Sequence, residues 1–492
     1  MPIRTAPWLA ALVVLTLARF AVAAAVPLSP DEAYYWLWSR ALAPGYLDHP
    51  PMVALWIWAG TWIAGDGSLG VRLLGPASAC LGSVLLWDAA ARLLPSPRAG
   101  VAAAALLNAT LLLGVGAVTM TPDTPLLFFW TATLWAVARA RSTERAGWWL
   151  AAGAFGGCAL ASKYTAALLG AGLVLWLAAT REGRAWARRW QPWAGGALAL
   201  AVFSPVLAWN AAHGWASFAK QGDRTGDWRP AHAIRFLGEL IGSQVALATP
   251  LVFALCVWGT WRVTRTALSS AREDGAAGLL ACLTLLPAAV FIEHALGDRV
   301  QGNWPAVVYP SACIAAAGLG SLWWRPAAAL GLAVTAAAYM QAAVPPIALP
   351  RALDPTLIRL AGWPFLAREV AAEAERSGAA FVTAESYGLL AELAHDAPTA
   401  LPVIAAGPRW ALIRLRAAPA SAPSGDTSDG TGLLVETARR REPPDPALWD
   451  VIALLSTLDR ARGGVVAESY RLYRVRPRRG TVVFLLPRPE AP

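Results

Sequence analysis

Asp31, Glu32, Asp48 and His49 fall within one stretch, "SPDEAYYWLWSRALAPGYLDHPPM", residues 29–52, crowded with tyrosine and tryptophan. Carboxylates beside an imidazole are the groups that move protons or hold cations. Asp123 in "TMTPDTPLLFF" and Lys163 in "CALASKYTAALL" stand at the ends of apolar runs. Lys163 is one of two lysines in a chain with 39 arginines, so an ammonium there is unusual. A charge at membrane depth costs about 2.5 to 3.5 kcal/mol on insertion scales and is commonly kept for function. Phosphate binding by Lys163, helped by Tyr164, is such a function. Two further stretches, "SPVLAWNAAHGWASFAKQGDR" and "EHALGDRVQGNWPAVVYP", bring His213, His294, Asp298 and Arg299 to the edges of apolar segments.

Structural explanations compete at each position. Ser29 and Glu32 have capping-box spacing, with Pro30 suited to the first turn and Asp31 to the helix dipole. A helix over 30–42 would lie along a membrane surface, anchored by Tyr34, Tyr35, Trp36 and Trp38. Thr121 or Asp123 caps a following helix, with Pro125 near its start. Lys163 can snorkel to the interface. Asp48 and His49, set before a proline pair, are the residues these explanations leave over.

The elements that must position these groups are membrane helices. The chain has 492 residues, 57% hydrophobic and only 15% charged, which is too apolar for a soluble enzyme of this length. Spans are expected at 6–27, 69–94, 100–119, 124–139, 147–161, 164–180, 193–211, 243–262, 277–295, 304–323 and 326–345, about eleven transmembrane helices. A single helix over 147–180 would put two arginine clusters on opposite sides, so the chain is expected to turn near Lys163. The first run resembles a signal peptide but reads as a retained anchor.

A net charge of +10 raises nucleic-acid binding, yet the arginines collect in short clusters between apolar runs, as topology signals do. Nucleic-acid binding is excluded. With a cytoplasmic amino terminus, fourteen basic residues, among them Arg4 and Arg272, fall in short inner segments, and eight, among them Arg72, Arg224 and Arg299, in longer outer ones. That bias places Asp31, Glu32, Asp48, His49, Asp123, Lys163 and His213 at the outer face. The five cysteines lie inside apolar runs without paired spacing and read as small buried hydrophobes.

After residue 346 the pattern becomes that of a soluble domain. An amphipathic helix is expected over 357–378, a strand in "AAFVTAE", a helix over 386–394 and a strand in "LPVIAA". "ASAPSGDTSDGTG" reads as a flexible loop, "DPALWDVIALLSTLDRARG" as a helix, and "GVVAESYRLYRV" and "TVVFLLP" as closing strands. The division expected is a membrane domain over 1–346, with its first outer loop at 28–68, and an extracytoplasmic α/β domain over 347–492. No Walker loop, GxGxxG or Cys/His metal box occurs, so a lipid-linked donor fits better than a soluble nucleotide conjugate.

The motifs "PDEAYYWLWSR…GYLDHPPM", "TPDTPLLFFW", "SKYTAALL", "SPVLAWNAAHGWASF" and "GNWPA" occur in the order seen in glycosyltransferase family 39-like bacterial membrane proteins. Those resemble the lipid A aminoarabinose transferases, the lipopolysaccharide galacturonic-acid transferases and the protein O-mannosyltransferases. The resemblance covers about residues 5–345. It implies a mainly α, polytopic C-type glycosyltransferase fold in a bacterial inner membrane, using a polyprenyl-phosphate sugar donor at its extracytoplasmic face. By matching position, Asp31 would be the catalytic carboxylate, with Glu32, Tyr35, Asp48 and His49 close by. Asp123, Lys163 and Tyr164 would line the donor pocket, and His213 and Arg299 complete the substrate-binding set. Where the aminoarabinose transferases carry an acid and a lysine before the proline, this chain has Asp48 and His49. An Asp/His pair offers ligands for a divalent cation, although nothing in the sequence requires a cofactor.

The expected reaction is an inverting transfer. Asp31 takes the acceptor proton, while Lys163, with Arg299 assisting, stabilises the departing polyprenyl phosphate. The acceptor is lipid A or lipopolysaccharide, another glycan, or a protein. A transporter or flippase for a lipid-linked glycan is the alternative, but it should show a midplane site and internal repeats. A non-catalytic scaffold would tolerate loss of Asp31.

Overall fold

The computed structural model describes residues 5–222, 229–269, 274–396, 401–415 and 430–489. Arg4, Arg224 and Arg272, and most of the expected loop over 420–432, lie outside the described residues. The chain forms two compact units. The first comprises Met1–Ala21, Pro44–Val53 and Leu74–Ala337, and the second Val22–Ala43, Ala54–Leu73 and Ala338–Pro492. Part of the first loop therefore belongs with the carboxy-terminal segment.

The chain is mostly helical, and each expected span falls on helix. Among the described residues, Ala6–Ala25, Ser68–Leu93, Gln191–Ala212, Gly275–Ala295 and Trp324–Ala343 are long and apolar enough to cross a membrane. Two sharply bent pairs raise these five to seven. Tyr164–Ala179 meets Arg181–Ala187 at 105°, and Pro230–Ala248 meets Pro250–Ser269 at 108°. The second bend interrupts the span expected over 243–262. Pro250 has no N–H and disfavours helical backbone in the residue before it, and Thr249 sits at φ 67°. The span expected over 100–119 divides into Ala99–Asn108 and Leu111–Gly116, where Thr110 accepts a hydrogen bond from the Leu113 N–H at 3.1 Å.

The helix over 147–180 is broken, as expected, at the lysine. Trp148–Leu160 ends, Lys163 is extended at φ −159°, and Ala167–Ala179 resumes after a 3₁₀ turn. Trp148–Leu160 packs on Gln191–Ala212 through glycine. A Cβ at Gly153 would lie 2.1 Å from the Gly195 carbonyl oxygen, and one at Gly195 would lie 2.4 Å from that of Trp149. Small residues let membrane helices bring their backbones into contact where lipid supplies no hydrophobic drive.

In the second unit, β1 (Val382–Thr383), β2 (Ile404–Ala406), β3 (Gly432–Thr437), β4 (Trp449–Arg462), β5 (Val465–Pro477) and β6 (Val483–Leu485) form two sheets. One has the order β1-β3-β5-β4, parallel only between β1 and β3; the other pairs β2 with β6. Phe381, Ile404, Leu434, Trp449, Val475 and Val483 make the core beneath them. The helix expected in "DPALWDVIALLSTLDRARG" is instead β4. Its helical pattern is overridden by the β5 ladder, which Gly463 and Gly464, at φ 57° and 79°, set up as a tight hairpin turn. The helix expected over 357–378 splits into Pro355–Leu360 and Trp363–Arg376 at Gly362, φ 80°. There the Arg460 guanidinium lies 3.9 Å from the Trp363 ring and donates to the Ile358 and Ala361 carbonyls.

Gly153→Ala should lower the thermal midpoint of the detergent-solubilised full chain, by an overpacking cost of about 1–3 kcal/mol. Gly196→Ala, whose Cβ would meet nothing within 4 Å, should not lower it. Equal midpoints for the two variants would contradict the close crossing.

Candidate active site

In the second unit the Pro30–Ser39 helix is fixed by one arginine. Arg72 is fully buried, and all five of its N–H groups are used. Nε and Nη2 grip Glu32 at 2.6 and 2.7 Å, Nη1 donates to the Ala23 and Val26 carbonyls, and Nη2 also to that of Pro27. Glu32 also accepts from the Ser29 N–H at 3.0 Å and hydroxyl at 2.9 Å, as the capping spacing implies. Glu32 is completely buried and closes this corner of the fold, whereas Asp31, one residue earlier, is more than a third exposed.

Asp31 receives a hydrogen bond from the Tyr387 hydroxyl at 3.0 Å, and Arg359 stands 3.8 Å from its other oxygen. Tyr387 opens the Tyr387–Asp396 helix, which approaches so closely that a Cβ on Gly388 would lie 2.7 Å from that of Pro30. The Arg409 guanidinium covers the Tyr387 ring at 4.7 Å and donates to the Tyr34 hydroxyl at 3.2 Å. Tyr35 is buried edge-on against Trp38 at 4.9 Å. Farther along the Tyr387–Asp396 helix, Glu392 is buried and neither of its oxygens has a partner among the described residues. Burial, with Asp396 and Glu32 nearby, holds its carboxyl well above the usual range, against the pull of Arg460 and Arg72.

The first unit holds the lysine site. Lys163 Nζ donates to Asp123 Oδ1 at 2.7 Å, and Asn303 Nδ2 donates to Asp123 Oδ2 at 2.8 Å. The ammonium carries three N–H groups, so two remain without a partner among the described residues. It stands 5.9 Å from the Trp304 ring centre, at a cavity of about 290 Å³ lined also by His49, Tyr164, Gln221 and His294. Tyr164 is held by the Ser217 hydroxyl at 2.7 Å, and the Asp48 carbonyl accepts from Gln221 at 2.5 Å. Phe291 lines this cavity and also a second, apolar one of about 630 Å³, which Leu240, Val257, Trp261, Leu285 and Tyr309 share.

His213 and Arg299 are engaged elsewhere. His213 stacks on Trp209 at 4.3 Å and its Nδ1 lies 2.7 Å from the Trp209 carbonyl oxygen. Arg299 is largely exposed and pairs with Glu239 at 2.7 Å. Among the described residues no three His, Cys, Asp or Glu side chains are grouped to hold a metal ion. The sequence reading passed over Tyr387 and Arg359, which lie more than 300 residues from Asp31, and Asn303, which was noted only as part of a polar loop. It also passed over Arg19, fully buried inside the first apolar run and bonded to Asn108 at 2.8 Å. Only an arginine inside an apolar run could have signalled it.

Residues 48–209 match the model of the dolichyl-phosphate-mannose-protein mannosyltransferase family. Over 371 residues, 74% of this chain and 76% of the relative, the sequence is 26% identical to the lipid A galacturonosyltransferase RgtD of Rhizobium johnstonii. The fold matches ArnT from Cupriavidus metallidurans bound to undecaprenyl phosphate, with a TM-score of 0.61 at 16% identity over 96% of this chain and 98% of that one. The apo state of the same protein gives 0.59 at 16% identity, over 95% and 98%. The sequence is thus similar to membrane glycosyltransferases of the family 39-like type. Its fold is the C-type glycosyltransferase fold expected from the motifs.

Glu392 gives the protein a pH-dependent stability. Its carboxyl ionises near 4.5 in an unfolded chain and higher in the folded one. The stability it contributes is therefore complete below about pH 4.5 and is lost as pH rises through the folded value. Thermal unfolding of Glu392→Gln and the parent across pH should give midpoints that diverge upward from about pH 5, the variant being the more stable. Parallel curves would contradict the assignment.

Proposed function

We propose that the protein transfers a sugar from a polyprenyl-phosphate donor to a lipid A-like glycolipid outside the cytoplasm, with inversion at the anomeric carbon. The observation that carries this reading is the pair of cavities that share Phe291 as a wall. One offers two ammonium N–H groups on Lys163 without a partner among the described residues, the other an apolar space of about 630 Å³ between helices. A phosphate on an isoprenoid tail matches both at once. Charge-assisted N–H···O bonds hold the phosphate, and burial of apolar surface holds the tail.

In the reaction, Asp31 accepts the proton of the acceptor hydroxyl as its oxygen bonds to the anomeric carbon. The bond from that carbon to the phosphate oxygen breaks, and polyprenyl phosphate leaves with the electron pair. Lys163 stabilises the phosphate charge that develops, as preorganised donors do in water-poor sites. Asp123, itself held by Asn303, keeps the ammonium in place. Tyr387 and Arg359 steady Asp31, and Glu32 acts through Arg72 by fixing the helix that carries it. His49, which lines the Lys163 cavity, is the further group assigned to the substrates, and no cofactor is needed. Lipid A as acceptor is supported by the name of the galacturonosyltransferase relative. The active site and the carboxy-terminal segment are assigned to the extracytoplasmic face of the inner membrane, which the distribution of arginine supports.

Purified protein, a radiolabelled polyprenyl-phosphate sugar and lipid A test the reading. Asp31→Asn should cut kcat by about 10²- to 10⁴-fold, the usual worth of general-base help, with the donor KM little changed. Parental turnover in that variant would reject Asp31 as the base.

A further inference from the structure

We infer that a separate cavity in the second unit seats the anionic saccharide headgroup of a membrane lipid. It encloses about 780 Å³ and is lined by Arg40, Trp58, Thr61, Trp62, Asp66 and His395, together with the Gly65–Gly67 turn. Arg40 sits nine residues after Asp31, at the end of the same helix. Its Nε bonds Ser39 Oγ at 3.2 Å, its Nη2 the Thr61 hydroxyl, and its Nη1 Asp66 Oδ1 at 3.2 Å. Three of the five N–H groups are thereby used, and two remain without a partner among the described residues. A guanidinium with a spare pair of donors fits phosphate or carboxylate oxygens.

The carboxylate beside it is fixed. Trp36 Nε1 donates to Asp66 Oδ1 at 3.0 Å, and His395 lies against the Asp66 carbonyl at 3.2 Å and Asp396 at 2.6 Å. Because Asp66 offsets much of the Arg40 charge, the pocket selects by the geometry of its donors and acceptors more than by net charge. Such a mixed lining suits a sugar that carries hydroxyls as well as an anion.

A second observation says what the sugar is attached to. Leu55, Trp58, Trp62 and Ile63 are exposed by 39, 47, 80 and 63%, and their spacing puts them on one face of the Met52–Ala64 helix. An apolar helix face ending in tryptophan belongs against lipid at the membrane interface. Trp58 and Trp62 line the cavity as well as this face. The occupant is therefore an amphiphile, with its chains along the helix and its acidic sugar beside Arg40. This deepens the proposed function, on which the lipid's role as acceptor rests.

The full chain in phosphatidylcholine nanodiscs, titrated with bisphosphorylated, acylated diglucosamine and read by native mass spectrometry, tests the site without turnover. Binding should saturate and weaken about tenfold in Arg40→Lys, which keeps the charge but loses the fork, and in Trp62→Ala. Trp62→Ala, altering a ring already in the open, keeps the test available if Arg40→Lys fails to fold. Parental binding by Trp62→Ala would overturn the proposal. So would equal affinity for phosphatidylglycerol, which lacks the sugar, or for soluble glucosamine 1-phosphate, which lacks the chains. Absence of sugar transfer in a separate assay would sink the transferase reading and leave this site standing.

Discussion

Arg72 has five N–H groups, and the second unit supplies an acceptor for each. A buried guanidinium and a buried carboxylate are both costly to desolvate, and losing one partner strands the other. Their pairing therefore sets where the chain goes. Carbonyls of Ala23, Val26 and Pro27, at the end of the first apolar helix, are tied to Glu32 in the first turn of the next. With Gly388 packed against Pro30, this leaves Asp31 no latitude of its own: it is placed by its buried neighbours while remaining open to solvent.

The same accounting gives a different answer at Lys163. Its surroundings are nearly as closed, yet only one of its three N–H groups has a partner among the described residues. A fully satisfied charge holds structure together; a partly satisfied one has capacity for a ligand. Asp123 offsets the cost of keeping an ammonium at that depth, and Asn303 takes up the other Asp123 oxygen. Lys163 lines a cavity, and the apolar space that shares Phe291 with it adds the second half of an amphiphile's requirements.

The sequence exposed these features unevenly. Apolar runs marked the helices, and the break at Lys163 followed from where arginine collects. The capping box at Ser29 and Glu32 was visible because its spacing is local. The partner of Glu32 was not: Arg72 looked like one more basic residue beside a span, and nothing in its neighbourhood reveals a contact forty residues away. Thr249 bends a helix that hydropathy alone would run straight through. In β4, "ALLSTLDRAR" favours helix by composition, whereas the Gly463–Gly464 turn and the ladder to β5 decide otherwise. Pairing across a sheet is a tertiary fact, and a single segment does not contain it. The contact of Tyr387 with Asp31 is the extreme case, since it joins the first loop to a helix near the other end of the chain.

The central claim is that the spare donors of Lys163 bind the phosphate of a polyprenyl lipid. Equilibrium binding of undecaprenyl phosphate to the purified parent and to Lys163→Met measures this directly, because methionine keeps the length of the side chain and removes the charge. The account predicts affinity at least about tenfold weaker in the variant, the worth of one charge-assisted hydrogen bond. Equal affinity in both proteins would contradict it.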